Sequence, residues 1–217
     1  MKNVLLTFIA IVMYSSMLFG QSLKYPKGVY MSFNEVIERK PSQDTDLIVI
    51  KRTKGSIKMS GGNDYKLIKE DKSIKKKIIK KKYIGYSNGD TLFINCFHYK
   101  IQPWYTPILS DGKFLVIKGG LSMDPKIQKE QITNNAQMGY MFGAVGGAIQ
   151  GAQMALLRFI YVIDKKTNKI ITVTPEFIQE HLKDMPELLN DFTTEIEPSN
   201  QEKLLKYLKI INTNANN

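Results

Sequence analysis

The chain has 217 residues, of which 43% are hydrophobic and 24% are charged, so it is long and apolar enough to bury a core of its own. Its net charge is +11, and its single cysteine, Cys96, excludes an intramolecular disulfide. No CxxC, HExxH or Walker-type motif occurs in it. The sequence therefore predicts no catalytic residues, no metal site and no cofactor, and we expect a protein that is not an enzyme.

The N-terminus has the composition of a secretory signal peptide. Lys2 supplies a positive charge, and Val4–Met13 form an apolar run that is short for a membrane span. Gly20 is a small residue in front of the expected cleavage site, and no cysteine stands there to accept a lipid anchor. We therefore expect residues 1–20 to be a signal peptide. The mature protein is then periplasmic, associated with the outer membrane, or secreted.

The positive charge is concentrated in one segment of the chain. Residues 51–82 hold thirteen Lys or Arg and three acidic residues, whereas residues 83–217 hold thirteen of each sign. The density is highest in KKKIIKKK, residues 75–82, whose candidate binding residues are Lys75, Lys76, Lys77, Lys80, Lys81 and Lys82. These lysines are typical either of a solvated strand edge that discourages pairing or of a contact surface for an anionic partner.

An anionic lipid, lipopolysaccharide or an acidic glycan is the kind of partner that fits the lysines. Nucleic acid is not expected, because residues 51–82 contain one arginine and one aromatic residue among the lysines. Whether the protein associates with a membrane, and with copies of itself, stays open at this point.

Capping and turn residues mark the first elements. Ser32 and Glu35 form a capping box, which predicts the start of a short helix. Residues 46–51 predict a strand, and residues 55–69 are interpreted as short strands broken by glycines. Residues 69–82 fit either a helix or a buried strand.

Three hairpins are predicted from turn signals that separate β-rich runs. They are centred on Ser87–Asp90, on Asp111 and Gly112, and on the turn between Phe159–Ile163 and Ile170–Val173. Together with the preceding strands, the first two predict an antiparallel meander that begins at about Leu47 and runs to about Lys118, and the third hairpin follows later in the chain. Cys96 lies in a strand-like run after the first turn, and we expect it to be a small buried residue.

QPWYTP, residues 102–107, contains the candidate ligand-contact aromatics. Trp104 and Tyr105 lie between two prolines, where amphipathic rings can meet a sugar or a lipid. The alternative interpretation is that Trp104 anchors the core.

A glycine-rich segment, GYMFGAVGGAIQG, occupies residues 139–151 within an uncharged stretch, residues 131–157. Four of its glycines recur every fourth residue: Gly139, Gly143, Gly147 and Gly151. This spacing lets helices approach closely. Because the stretch also contains many Gln and Asn residues, we expect a helical or loop insertion packed against the protein's own sheet. Membrane insertion or self-association is the alternative.

The C-terminal part is predicted to be helical. Capping residues mark three helix starts: Thr174 before Pro175, the pair Asp184 and Glu187, and the pair Ser199 and Glu202. Residues 176–202 hold eight acidic residues and one lysine, which makes them a counterweight to the basic segment. Residues 212–217 are expected to be a disordered tail. The predicted fold is a single α+β domain over residues 21–211, with an antiparallel β meander, the Gly-rich insertion and C-terminal helices.

This layout resembles a group of exported, uncharacterised proteins of Bacteroidota. The resemblance is carried by KGVYMSFNEV, IGYSNGDTLFIN, GAVGGAIQGA and YVIDKKTNKIITVTPEFIQEHLKDMPELLNDF. These motifs are structural, so the resemblance implies export and a shared architecture and brings no activity. We expect an envelope-associated protein that binds an anionic surface through its lysines. The alternative is a membrane-inserting or self-assembling protein that acts through the Gly-rich segment.

Overall fold

A single antiparallel sheet of nine strands, accompanied by eight α-helices, makes up the part of the chain that the structure describes. This structure is a computed structural model, and it describes residues 25–133, 147–195 and 200–214. The prediction of an α+β protein built on an antiparallel sheet is confirmed. The predicted signal peptide lies outside the described residues.

The strands are short and mostly follow one another across the sheet. They are β1 (Gly28–Tyr30), β2 (Ile48–Lys51), β3 (Tyr65–Ile68), β4 (Gly85–Ser87), β5 (Leu92–Asn95), β6 (Tyr105–Asp111), β7 (Phe114–Gly119), β8 (Phe159–Asp164) and β9 (Ile170–Thr172). Their order is β1-β4-β5-β6-β7-β8-β9, and β3 pairs with β2 and, at Tyr65 opposite Tyr105, with β6. Strands β4 to β9 thus form a meander, while β3 shares one edge of β6 with β7.

The three predicted hairpins are confirmed. Ser87 pairs with Leu92, Asp111 with Leu115, and Ile163 with Ile170. The first turn works as its sequence indicates, because Gly89 has a φ of +100° and the Asn88 side chain accepts two backbone N–H bonds.

The helices lie between and after the strands. They are α1 (Phe33–Glu38), α2 (Lys54–Ser60), α3 (Lys76–Lys82), α4 (Pro125–Thr133), α5 (Gly147–Met154), α6 (Pro175–His181), α7 (Pro186–Thr194) and α8 (Gln201–Asn214). Ser32 caps α1 and Thr174 caps α6, as predicted; their hydroxyls accept backbone N–H bonds at 3.3 and 3.2 Å.

Several local predictions are wrong. Lys54–Ser60 are helical rather than extended, because Thr53 supplies an N-cap and Gly61 ends the helix. Met185, not Asp184, occupies the N-cap position of α7. At α8 the cap is Asn200, whose Oδ1 accepts the backbone N–H of Glu202 at 2.9 Å.

The sheet is covered on both faces, which explains the unbroken apolar runs in β7 and β8. One face carries a core that includes Leu115, Ile117 and Tyr161 and is closed by α1. The opposite face is divided. Around β7 and β8 it packs against the C-terminal helices, and around β4 and β5 it packs against α3 and the β2–β3 hairpin. Side chains alternate between the two faces along each strand.

The C-terminal helix is docked by one buried amide. The Asn212 side chain accepts the Phe114 N–H at 2.7 Å and donates to the Phe114 carbonyl at 3.1 Å. The turn between β6 and β7 touches α8 at Gly112, where an added Cβ would clash with the Asn212 carbonyl oxygen. Residues 212–214 are therefore helical and not part of a disordered tail, and residues 215–217 lie outside the described range.

Asn212→Ala is expected to lower the free energy of unfolding by about 2 kcal/mol, because it leaves the buried Phe114 N–H without its partner. Urea unfolding followed by circular dichroism measures the change. Thr213→Ala, an exposed neighbour on the same helix, is the matched control and should stay within about 0.5 kcal/mol. Equal effects of the two substitutions would contradict a docking role for Asn212.

Candidate functional site

The lysine-rich segment folds as α3, which is fixed to the sheet by buried neutral groups. Ile79 is fully buried. The Tyr105 hydroxyl donates to the Ile79 carbonyl at 2.6 Å, and the Asn95 amide donates to the carbonyls of Lys80 and Tyr83 at 2.9 and 2.7 Å. Two carbonyls of the last helical turn, those of Ile79 and Lys80, are thus satisfied without the lysine ammonium groups.

The lysines of this helix face solvent. Five of them are exposed, Lys75, Lys76, Lys77, Lys81 and Lys82, and Lys80 is half-buried. Among the ion pairs of residues 25–133, 147–195 and 200–214, none involves these six lysines. The same ion pairs do not join residues 51–82 to the acidic helices. Within the described ranges, the acidic residues that were predicted to balance this charge therefore form no ion pair with the lysines.

Trp104 lies beside α3 in a strained backbone conformation. Its φ is +82°, a region that bulky residues rarely adopt. The half-buried indole ring has the Lys80 ammonium 5.1 Å and the Arg52 guanidinium carbon 5.9 Å from its centroid. Each such contact stabilises by roughly 0.5–1 kcal/mol at an exposed site. Strain of this kind persists where the surrounding structure enforces it, and it is concentrated at functional sites.

The backbone around Trp104 is tightly enclosed. A Cβ at Gly62 would lie 2.6 Å from Trp104 Cδ1, and Gly62 itself has a φ of +93°. The Trp104 carbonyl accepts the Cys96 N–H at 3.0 Å, and the preceding Pro103 carbonyl accepts the Asn63 N–H at 2.8 Å. The position of the indole is therefore set by the fold on both sides of the residue.

Arg52 adds a cation that is held by neutral acceptors. Its guanidinium donates to the carbonyls of Gly61 and Asn63 at 2.7 and 2.9 Å and to Ser60 Oγ at 2.7 Å. Burial lowers its pKa and the nearby Arg158 lowers it further, yet an arginine stays charged at pH 7. The nearby carboxylate of Asp64 is paired with Arg158 instead.

Phe97 and His98 extend the surface past α3. The Lys81 ammonium lies 5.9 Å from the Phe97 ring centroid. The pKa of His98 is lowered by burial, against a smaller opposite effect of the hydrogen bond to the Tyr83 backbone. The imidazole is therefore neutral at pH 7, and the positive charge of the surface comes from lysine and arginine.

We call the six lysines of residues 75–82 together with Arg52, Trp104 and Phe97 the cationic surface. Of its members, the sequence indicates the lysines and Trp104. Arg52 and Phe97 are not recognisable as site residues from the sequence, because only the fold brings them next to the indole and the lysines.

The structure corrects the prediction for Tyr105. Its side chain is fully buried, its hydroxyl holds α3, and burial raises its pKa above the ordinary value. It is therefore a structural residue and does not meet a ligand at the surface. Trp104 keeps part of its ring accessible.

The four glycines that recur every fourth residue do not form a helix packing face within the described residues. Gly139 and Gly143 lie outside the described residues, and Gly147 is the first residue of α5. Gly151 is exposed, and an added Cβ there would meet no atom within 4 Å. Within the described ranges, no helix is both long and apolar enough to cross a bilayer.

Cys96 and His98 form no reactive pair. They lie in a 3₁₀ turn, Cys96–Tyr99, that follows β5, rather than in a strand. Cys96 is fully buried as predicted, and burial raises the pKa of its thiol. In the described part of the chain, no group of three or more His, Cys, Asp or Glu side chains is placed to hold a metal ion.

The chain belongs to a family of unknown function (DUF6563), whose model matches residues 28–215. The match runs from β1 through α8 and so includes the cationic surface. No curated protein and no solved structure matches the chain. The prediction that the chain belongs to a family without an assigned function is confirmed. Its origin in Bacteroidota and its export remain proposals.

Gly62→Ala should displace the indole and lower the free energy of unfolding by about 2 kcal/mol or more, because alanine is strained at this φ and its Cβ meets the ring. Trp104 is the only tryptophan, so its fluorescence reports on this site alone. Urea unfolding and iodide quenching of the emission measure both effects. Gly55→Ala, inside α2 where an added Cβ would meet only Thr53 Oγ1 at 3.9 Å, is the control and should be neutral or slightly stabilising. An unchanged emission spectrum in Gly62→Ala would refute the packing described.

Proposed function

We propose that this chain is an exported, envelope-associated protein of Bacteroidota that binds an anionic surface through its cationic surface. The observation that supports the proposal best is the absence of any ion pair to the six lysines of residues 75–82 within the described residues. Charges that are exposed, clustered and unpaired attract anions at the range of the Debye length, roughly 8–10 Å in physiological salt.

The position of α3 favours this function over a role in guarding a strand edge. Lysines protect a sheet when they lie along an unpaired strand. Here they lie on a helix that packs through Ile79 against the face of the sheet around β4 and β5. They therefore do not shield an open edge, and the strand-guard interpretation loses its structural basis.

The Gly-rich stretch, residues 131–157, is in this proposal an insertion that packs on its own protein. Its described parts are the end of α4 and the helix α5, which lies against α2. The open space around Gly151 gives no support to close helix pairing at that residue. Self-assembly or membrane insertion through this segment is the weaker alternative.

Replacing Lys75–Lys77 and Lys80–Lys82 with Gln should abolish salt-sensitive binding while the protein still folds. If three of the lysines contact the surface at roughly 1 kcal/mol each, the affinity falls about a hundredfold. The measurement is binding to dextran sulfate and to phosphatidylglycerol vesicles, at low and at high salt. The chain from Gln21 is used, since it holds every described residue and is the predicted mature protein.

The matched control removes the same charge elsewhere. It replaces six exposed lysines that are also without an ion pair among the described residues: Lys118, Lys126, Lys129, Lys166, Lys169 and Lys209. This variant should bind nearly as the unmodified protein does. Equal losses in both variants would mean that only net charge matters. Full binding by the α3 variant would contradict the proposal.

A further inference from the structure

We infer that the anionic surface is a lipid bilayer, and that Met59 and Trp104 enter its interfacial layer while the lysines contact the headgroups. The inference rests on the proposed function and adds the partner's chemical class and two residues. It is carried by a half-buried indole that lies next to the unpaired cations and by an exposed apolar side chain on the helix that Arg52 contacts.

Met59 is far more exposed to solvent than any other large apolar side chain among the described residues. Its side chain is 90% exposed, whereas the next most exposed large apolar side chain among the described residues, Met123, is at 44%. It projects from α2, which is held to the protein by the buried Ile57. Within the part of the chain that the structure describes, this flexible thioether is left almost fully open to water. Its apolar surface fits an apolar partner.

Met59 belongs to the helix that Arg52 links to the cationic surface. Its neighbour Ser60 accepts a hydrogen bond from Arg52 at 2.7 Å. The Arg52 guanidinium and the Lys80 ammonium both lie within 6 Å of the Trp104 ring. Arg52, Trp104 and Lys80 therefore form a row of side chains that joins α2, the helix that carries Met59, to α3.

A bilayer suits this row better than a soluble polyanion does. Tryptophan favours the interfacial layer, where its ring is in an apolar environment and its N–H reaches water. The long stems of lysine and arginine let the charged ends reach phosphate groups while their carbons stay close to acyl chains. An acidic glycan would use the cations and the indole, but it offers no apolar environment for Met59.

The fluorescence of Trp104 tests insertion directly, since no other tryptophan contributes. The chain from Gln21 is mixed with vesicles of phosphatidylcholine, with vesicles that also contain phosphatidylglycerol, and with dextran sulfate. On the phosphatidylglycerol vesicles the emission should shift to shorter wavelength and be quenched by lipids brominated near the headgroup. Dextran sulfate should bind without that shift.

Two variants separate insertion from charge attraction. Met59→Ser should weaken binding to phosphatidylglycerol vesicles roughly tenfold, the loss that follows from keeping one methionine out of an apolar environment. It should leave binding to dextran sulfate unchanged. Ile171→Ser is the matched control, because Ile171 is also exposed, at 43%, but lies on β9 at the far end of the sheet. It should leave both affinities unchanged.

The outcomes distinguish this inference from the proposed function. Binding to both polyanions without a spectral shift or quenching would overturn bilayer insertion and leave the proposed function standing. Equal effects of Met59→Ser and Ile171→Ser would also overturn it. Both ideas are supported if the α3 lysine variant loses binding to vesicles and to dextran sulfate, while the variant with six lysines replaced elsewhere shows the full shift of the Trp104 emission. No binding of the unmodified protein to either partner would overturn both.

Discussion

The architecture depends on one buried amide, Asn63, which reinforces the point where β3 and β7 meet the same edge of β6. Strand β6 must offer one edge first to β3 and then to β7. At this branch the Asn63 side chain donates to the Gln102 carbonyl and accepts the Gly120 N–H, while its own backbone N–H bonds to Pro103. A buried polar group that finds all its partners fixes the relative position of the segments it bonds. The β2–β3 hairpin, the turn before Trp104 and the end of β7 are therefore held as one unit.

The same device positions the elements around the sheet. Asn95 bonds carbonyls at the end of α3, and Asn212 bonds both backbone groups of Phe114 in β7. The backbone groups of a helix and a strand do not pair directly with each other. In each case a side-chain amide supplies the hydrogen bonds that join the two elements. Asn95 and Tyr105 bond α3 from the side of the sheet. The direction in which the lysines project is therefore set by the core and not by the lysines themselves.

Local signals in the sequence account for the hairpins and for two of the helix starts. Asn-Gly and Asp-Gly turns and the caps Ser32 and Thr174 act through bonds a few residues away, so they can be recognised without the fold. The residues that hold or complete the cationic surface act across the chain. Asn63, Asn95 and Arg52 bond or touch segments that are distant in sequence, and nothing in their local pattern separates them from solvated polar residues. Residues 54–60 were also predicted wrongly from the sequence. A helix of two turns contains too few residues for its apolar periodicity to be distinguished from that of short, interrupted strands.

Helix stability does not account for the whole charge pattern of α3. Basic residues stabilise the C-terminal end of a helix, which explains Lys80, Lys81 and Lys82. At the N-terminal end the helix dipole disfavours them, yet Lys75, Lys76 and Lys77 stand there, and α3 has no acidic residue in its first turn. Mutual repulsion among the six lysines adds to this cost. The helix tolerates both because Ile79, Tyr105 and Asn95 hold it in place by neutral contacts. A fold that keeps such an arrangement stable on its own leaves the cations available to an external anion.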